Sequence, residues 1–300
     1  MVSDYDLVVV GSGPAGLTAA IYAARYKLKV LVIGKLLGGL AGTANKIHNY
    51  PSYIEVSGME LMQKMGAQVK KLGVEVLGEE VVKIEGSDGN FVVNTKKKKY
   101  SAKKVVYASG TVYRKLGVKN EEKFVGKGIS YCATCDASFY RDKRVVVVGG
   151  GDSALTAALL VAEFAKEVGI IYRGADFNKA NPSWVEQVEK NKKIKTLFNE
   201  EVVEINGTQM VESVKLKSGK DLEIGGVFIE IGSVPDTYVL SSLNVKRDKK
   251  GYIITDKAQK TSVAGFYAAG DVTNGVLKQI VIACGEGAVA GFGVYVEIKK

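Results

Sequence analysis

The chain has 300 residues, is 46% hydrophobic and 25% charged, and carries a formal net charge of +10. That length supports two domains with separate cores. Three cysteines are too few for a disulfide scaffold. No apolar run reaches membrane-spanning length, and no basic-then-apolar leader precedes the first strand, so a soluble, cytoplasmic protein is expected. The lysines are scattered over many elements with no aromatic-basic module among them. The charge therefore reads as a solvated surface suited to an acidic partner, with no nucleic acid and no membrane among the expected partners.

Residues 6–10 (DLVVV) read as a buried strand. Gly11, Gly13 and Gly16 follow in G-x-G-x-x-G spacing, then an alanine-rich helix over 17–26 and a second strand over 29–33. Glycines at a strand-to-helix turn allow the backbone to approach a pyrophosphate, which then sits at the positive end of the helix. The acid expected after the second strand is missing, because the segment reads Ile33-Gly34-Lys35. Ser57-Gly58-Met59-Glu60 is a capping box that opens a helix stopped at Gly73. A short strand over 74–76 precedes a meander over 81–85, 90–95 and a segment near Tyr100, with Asp88-Gly89 as the first hairpin turn and 96–99 at the next. Residues 104–108 read as a separate buried strand ending in Ser109-Gly110.

Cys132-Ala133-Thr134-Cys135-Asp136 comes next. Two cysteines at this spacing can close a reversible disulfide, with one thiol of depressed pKa, and the adjacent acid can carry a proton. The same spacing also suits half a zinc site or two core cysteines. Zinc would need Cys132, Cys135, Cys284 and His48, the only histidine, to converge from three distant segments, so no metal is expected. Cys284 reads as a small buried hydrophobe, and His48 as a packing or hydrogen-bonding residue.

The pattern then repeats. A buried strand over 144–148 leads into Gly149-Gly150-Gly151-Asp152-Ser153-Ala154, a helix over 155–165 and a strand over 168–172. Ser183-Trp184-Val185-Glu186 is read as a second capping box, followed by a meander over 201–205, 211–217 and 221–224 and a buried strand over 227–231. The order of fingerprint, capped helix, meander and strand-glycine appears twice, an internal duplication. Residues 251–255 and 265–269 are strand-like, and a helix of small residues runs from about 277. This tail cannot form a third unit, so it is expected to complete the first. The fold class is therefore α/β, with two Rossmann-like three-layer domains, each with a β-meander, the second inserted in the first. The boundaries are 1–113 with 245–300, and 114–244.

GSGPAG at Gly11 to Gly16, the CATCD stretch, GGGDSA at Gly149 to Ala154 and Ala-Ala-Gly-Asp-Val at Ala268 to Val272 resemble the low-molecular-weight thioredoxin reductase family, in order and over nearly the whole chain. The resemblance implies a homodimeric flavoprotein that binds FAD in the domain made of both chain ends, with a pyridine-nucleotide domain inserted. FAD would lie along Gly11, Ser12, Gly13, Pro14, Ala15, Gly16, Gly34, Gly38, Gly39, Leu40, Asn49, Ala108, Gly110, Gly270, Asp271, Lys278, Gln279 and Ile280. Lys278, Ile280 and Leu40 depart from the family's usual arginine, alanine and glutamine.

The resemblance further implies a thioredoxin-disulfide reductase. Electrons pass from a nicotinamide donor through FAD to the Cys132–Cys135 disulfide, and on to thioredoxin or a similar small dithiol protein. Cys135 would face the flavin, Cys132 would attack the partner and Asp136 would handle protons. The family rotates its inserted domain between steps, so residues 111–117 and 233–244 are the expected hinges. The donor, NADPH or NADH, would meet Gly149, Gly151, Asp152, Ser153, Ala154 and Arg173. Relatives that use NADPH carry a histidine-arginine-arginine cluster with a further arginine four residues on. Here Ile171-Tyr172-Arg173-Gly174-Ala175-Asp176-Phe177-Asn178 keeps only Arg173. The alternatives are the same relay fed by ferredoxin or another carrier, or a flavin and dithiol redox sensor without turnover.

Overall fold

The structure is a computed structural model that describes residues 4–44, 47 and 49–299. His48 lies outside the described residues. The chain divides into two units, Met1–Val112 with Val234–Lys300, and Tyr113–Ser233.

The first stretch of chain runs β1 (Tyr5–Val10), α1 (Pro14–Arg25), β2 (Val30–Ile33), α2 (Gly58–Lys71), β3 (Glu75–Leu77), β4 (Val81–Ser87), β5 (Asn90–Thr95), β6 (Lys99–Tyr107) and β7 (Thr111–Tyr113). The second unit supplies α3 (Glu121–Phe124), β8 (Ile129–Ser130), α4 (Ala133–Asp136), β9 (Arg144–Val148), α5 (Asp152–Phe164), β10 (Glu167–Tyr172), α6 (Pro182–Lys190), β11 (Ile194–Phe198), β12 (Val202–Asn206), β13 (Ser213–Leu216), β14 (Asp221–Glu223) and β15 (Gly226–Ile229). The return to the first unit adds β16 (Ser233–Pro235), β17 (Phe266–Ala268) and α7 (Ile280–Ile298).

In the first unit, β3, β2, β1 and β6 lie side by side in parallel, and β17 joins β6 in parallel. The antiparallel pairs β4–β5 and β5–β6 form the meander. The strands are buried on both faces, so they are runs of valine, leucine and isoleucine rather than alternating sequences. Side chains still alternate between faces. Leu7, Val9, Val30 and Val32 meet α1, α2 and α7, whereas Val8, Val10, Leu31 and Ile33 meet the meander side with Ile84, Phe91 and Phe266. The second unit repeats this plan around the parallel sheet β11-β10-β9-β15-β8. Val145, Val147 and Ile170 face α5 and α6, and Val146, Val148 and Ile171 face the three-stranded meander β12-β13-β14.

Several expectations change. The segment near Tyr100 and residues 104–108 form one strand, β6, whose first half carries the meander and whose second half carries β17. The chain re-enters the first unit at Val234 rather than at 245, because Val239, Leu240, Leu243 and Val245 are buried in that unit's core. Residues 251–255 form no strand, only isolated bridges from Ile253 to Arg247 and to Thr273. The last helix begins at Ile280, after an extended Gln279. Asn181, not Ser183, caps α6. Its side chain accepts from Ser183 N, with Pro182 in the first turn, where the missing N–H costs nothing. The capping box at Ser57 is formed, with its side chain accepting from Glu60 N.

By length and composition α7 is apolar enough to cross a membrane, contrary to the sequence expectation. Here it packs on α1. A Cβ on Gly287 or Gly291 would collide with the backbone of Ala15 or Ala19, so these glycines permit the close approach of the two helices. The charges on α7 are also engaged within the unit: Glu286 accepts from Gly270 N, and Glu297 pairs with Lys104 and Lys260.

The two chain crossings pair with each other as the ribbon of β7 and β16. Asp236 N donates to Gly110 O at 3.1 Å, and Arg114 N donates to Gly232 O at 2.9 Å.

Candidate active site

The residues expected to line FAD come together in the first unit around the start of α1. Gly11 has φ 111, and any Cβ there would strike the Ala108 carbonyl, while Gly16 is pressed on the carbonyl of Gly11. Ser12 Oγ donates to Leu36 O at 2.9 Å and Gly38 N donates to Ser12 O at 2.8 Å, which ties the 34–40 loop to the glycine turn. Gly34 fits only because it lacks a Cβ beside Ser12, and Gly39, at φ 53, would bring an added Cβ to ordinary contact with the Cα of Gly13. Gly13 caps α1 without a side-chain bond, Pro14 follows it, and the first turn carries no acid. The helix amides are thus left for an anion.

The chain's C-terminal part closes the cradle. Gly270 lies against Ala15. Gly270 N donates to Glu286 Oε2 at 2.7 Å, and Thr273 Oγ1 bonds to the same oxygen at 3.3 Å. Asn49 Nδ2 donates to Gln279 Oε1 at 2.8 Å. Lys278 Nζ donates to Thr273 O and lies 4.7 Å over the Tyr252 ring. Burial lowers the pKa of Lys278 against the pull of Asp271, Glu286 and Asp248, and burial raises Asp271 against Lys278. Leu40 is 37% exposed, and Ile280 opens α7. Gly110, at φ 73, ends the strand turn after Ala108. Bare glycine walls, an uncapped helix start and a ring of polar groups fit a dinucleotide whose pyrophosphate meets α1.

The second fingerprint has the same local form in the inserted unit. Gly149 has φ 146 and abuts the Glu230 carbonyl and the Ala154 side chain. Gly151 caps α5 with no side-chain bond and with open space where a Cβ would stand. Asp152 Oδ1 accepts from Asn181 N at 2.6 Å, and Ser153 is exposed. Arg173 is exposed at the end of β10. The neighbouring Tyr172 ring fills the space beside Gly150 and Gly174 and stacks on Phe177 with centroids 6.0 Å apart. Asp176 accepts from Asn178 N at 3.0 Å, a local turn bond.

Cys132 and Cys135 form a disulfide with Cα atoms 5.3 Å apart. Cys132 is half-buried and Cys135 exposed. Cys132 N donates to Ser130 Oγ at 3.0 Å, and Cys135 N donates to Cys132 Sγ at 3.2 Å. That amide would stabilise a thiolate on Cys132 once the bond opens. Asp136 lies half-buried beside Tyr140, whose pKa rises through burial and then through this carboxylate. Cys284 is in the other unit, half-buried rather than buried, with Sγ 3.9 Å from Tyr50 Oη.

Two acids near the pair were missed in the sequence. Glu121 is 3% exposed and accepts from Leu116 N at 2.9 Å, Gly117 N at 2.6 Å and Tyr131 Oη at 2.5 Å. It fixes Tyr131, the residue before Cys132. Glu230 follows the buried strand β15, and burial pushes its carboxyl up to about 7 while the Ala133 N–H opposes the shift. The signal for Glu230 was present as one acid inside the apolar run Val227-Phe228-Ile229-Glu230-Ile231.

Two dinucleotide folds, the second bearing a disulfide of two-residue spacing, define a nucleotide-linked disulfide oxidoreductase. The chain belongs to the pyridine nucleotide-disulphide oxidoreductase family, whose profile matches residues 5–287. Membership implies FAD and a nicotinamide nucleotide as cofactors. The chain is 39% identical over 299 residues to a protein named thioredoxin reductase from Peptoclostridium acidaminophilum, covering 95% of this chain and 94% of that one. Thioredoxin reductase of Lactococcus lactis superposes with a TM-score of 0.91 at 35% identity, over 98% of this chain and 100% of that one. Thioredoxin reductase of T. acidophilum does so with 0.90 at 38% identity, over 99% of each.

Proposed function

We propose that this chain is an FAD-dependent thioredoxin-disulfide reductase, taking electrons from a nicotinamide donor and delivering them to thioredoxin or a similar small dithiol protein. The observation that carries this reading is the Cys132–Cys135 disulfide on the unit that also bears the second glycine fingerprint. The first unit, 1–112 with 234–300, is the FAD domain. Gly11 to Gly16 and the first turn of α1 hold the pyrophosphate, with the 34–40 loop, Asn49, Asp271 and Lys278 to Ile280 along the rest. Bound FAD supplies the two-electron exchange between the nicotinamide and the disulfide.

In the reduced pair, Cys132 is the attacking sulfur. Exposure alone would favour Cys135, but the bond from Cys135 N stabilises charge on Cys132. The Cys132 thiolate attacks one sulfur of the partner's disulfide and forms a mixed disulfide. Cys135, deprotonated, then attacks Cys132 Sγ. This releases the partner as a dithiol and re-forms the Cys132–Cys135 bond. Asp136 takes the proton from the thiol and returns it to the departing sulfur.

The donor, NADPH or NADH, binds at Gly149 to Ala154, with Arg173 as the one cation carried over from the basic cluster. The chain acts as a homodimer, which is supported by the apolar side chains exposed on α7, Val281, Ile282, Val289 and Phe292. Hinge motion is assigned to the crossings at β7 and β16.

The test is an anaerobic titration of the purified protein's flavin with NADPH and with NADH. Thioredoxin reduction is followed in parallel for wild type, Cys132→Ser and Cys135→Ser. Flavin bleaching with thioredoxin turnover in wild type alone supports the reading. Bleaching by neither nucleotide would sink the nicotinamide step, and bleaching without turnover would leave a redox sensor.

A further inference from the structure

β15 is apolar along Gly226–Ile229 and is followed by the acid Glu230. The pairing of β15 with β8 carries this acid toward the cysteine turn. β15 runs parallel to β8 with Phe228 level with Ser130. The paired register ends at Phe228 and Ser130, and each chain runs on two residues, to Glu230 and to Cys132. On the other side, Glu230 N donates to Val148 O at 2.8 Å, and its carbonyl occupies the place where Gly149 would carry a Cβ. Glu230 thus stands between the second glycine fingerprint and the cysteine turn. The Ala133 N–H, inside that turn, opposes the rise that burial causes in the Glu230 carboxyl.

We propose that Glu230 is a positioning acid for the redox pair, its carboxylate beside the cysteine turn setting the pH at which the reduced cysteines release their first proton. The inference rests on the disulfide-reductase reading. Opening the pair breaks the S–S bond, and two electrons with two protons give two thiols. One thiol must then ionise to attack. A thiolate and a nearby carboxylate repel, so together they hold one proton to higher pH than either would alone. The site is suited to this, because burial already favours the neutral carboxyl. Ionisable groups on the elements around Glu230 are engaged elsewhere. Tyr131 Oη donates to Glu121, Asp152 accepts from Asn181 N, and Asp136 lies beside Tyr140.

The test compares wild type with Glu230→Gln, which keeps an acceptor for the Ala133 N–H but loses the titrating proton. Thiolate absorbance of the reduced protein is followed against pH. The midpoint potential of the pair is measured in glutathione buffers over the same range. The thiolate should appear about one pH unit lower in Glu230→Gln, and the potential should flatten with pH correspondingly earlier. Superimposable curves would overturn the proposal. A measurement on a chain that keeps Glu230 guards against a variant that fails to fold. In Asp136→Asn, the infrared difference spectrum of reduction near pH 7 should show a protonated carboxyl gained, and its absence would also overturn the proposal. If no glutathione buffer opens the pair in either protein, the reductase reading fails and this inference with it.

Discussion

Asn49 and Gln279 meet through a 2.8 Å side-chain hydrogen bond across a separation of 230 residues, which joins the first chain segment to the last at the edge of the proposed FAD site. Asn49→Ala or Gln279→Ala should therefore weaken FAD retention several-fold. The effect on stability should be small, about 1 kcal/mol or less, since the bond is exposed. Flavin content after dialysis and the melting temperature of the apoprotein separate the two effects.

The two fingerprints should respond differently to one added methyl. Gly16→Ala drives a Cβ into the Gly11 carbonyl and should cost at least about 2 kcal/mol along with flavin binding. Gly151→Ala meets open space and keeps an extended backbone. It should fold with a melting temperature near wild type while raising the KM for the nicotinamide nucleotide. Thermal unfolding and steady-state kinetics of the two variants decide this.

Donor preference should be weak and hard to restore by a single change. One ion-pair contact from the exposed Arg173 supports a preference for NADPH over NADH of roughly tenfold or less in kcat/KM. Gly174→Arg alone should fail to increase it, because the Tyr172 ring occupies the space a Cβ needs. Tyr172→His with Gly174→Arg and Asn178→Arg should raise the preference. An unchanged ratio in the triple variant would mean that the 2′-phosphate lies elsewhere.

Two carboxyls give stability opposite dependences on pH. Burial would raise Glu297, but its bonds to Lys260 at 2.6 Å and Lys104 at 2.9 Å outweigh this and hold it down to about 2. Its contribution, on the order of 2 kcal/mol once solvent screening of this partly exposed pair is allowed for, is present above the ordinary carboxyl range and lost as pH falls toward 2. Burial, and then the charge of Glu80, raises Asp236 to about 6. The folded state keeps that proton where the unfolded chain has lost it, so this contribution is complete at low pH and disappears as pH rises through about 6. Asp236→Asn should flatten the fall in melting temperature between pH 4 and 6, and Lys104→Met should lower stability near neutral pH while flattening its further loss as pH falls.

Features encoded within a few residues were legible in the sequence. The glycine turns, the Ser57 cap and the cysteine spacing are of this kind. The duplication was visible because the same local signals recur in order. What was misread depends on distant partners. The segment near Tyr100 and the buried run 104–108 read as two strands, whereas Lys104 lies within one, only 8% exposed and neutralised by Asp88 and Glu297, which come from other parts of the chain. The segment 238–245 has no strand or long helix to mark it, and its place in the first core is set by Val239 and Leu240 meeting strands far upstream. Glu230 could be read as an acid in an apolar run. Its place by the Ala133 N–H follows from the pairing of β15 with β8, which local sequence does not encode.

The ribbon formed by β7 and β16 bears on how such a chain can be built and rebuilt. Gly110 lies beside Asp236, and Arg114 beside Gly232. The inserted segment therefore leaves and rejoins its host at a single point, as a cassette does. Residues 113–233 could be excised and the cut ends of the host sealed across a short gap, or the segment could be grafted into another protein wherever two adjacent strands offer neighbouring ends.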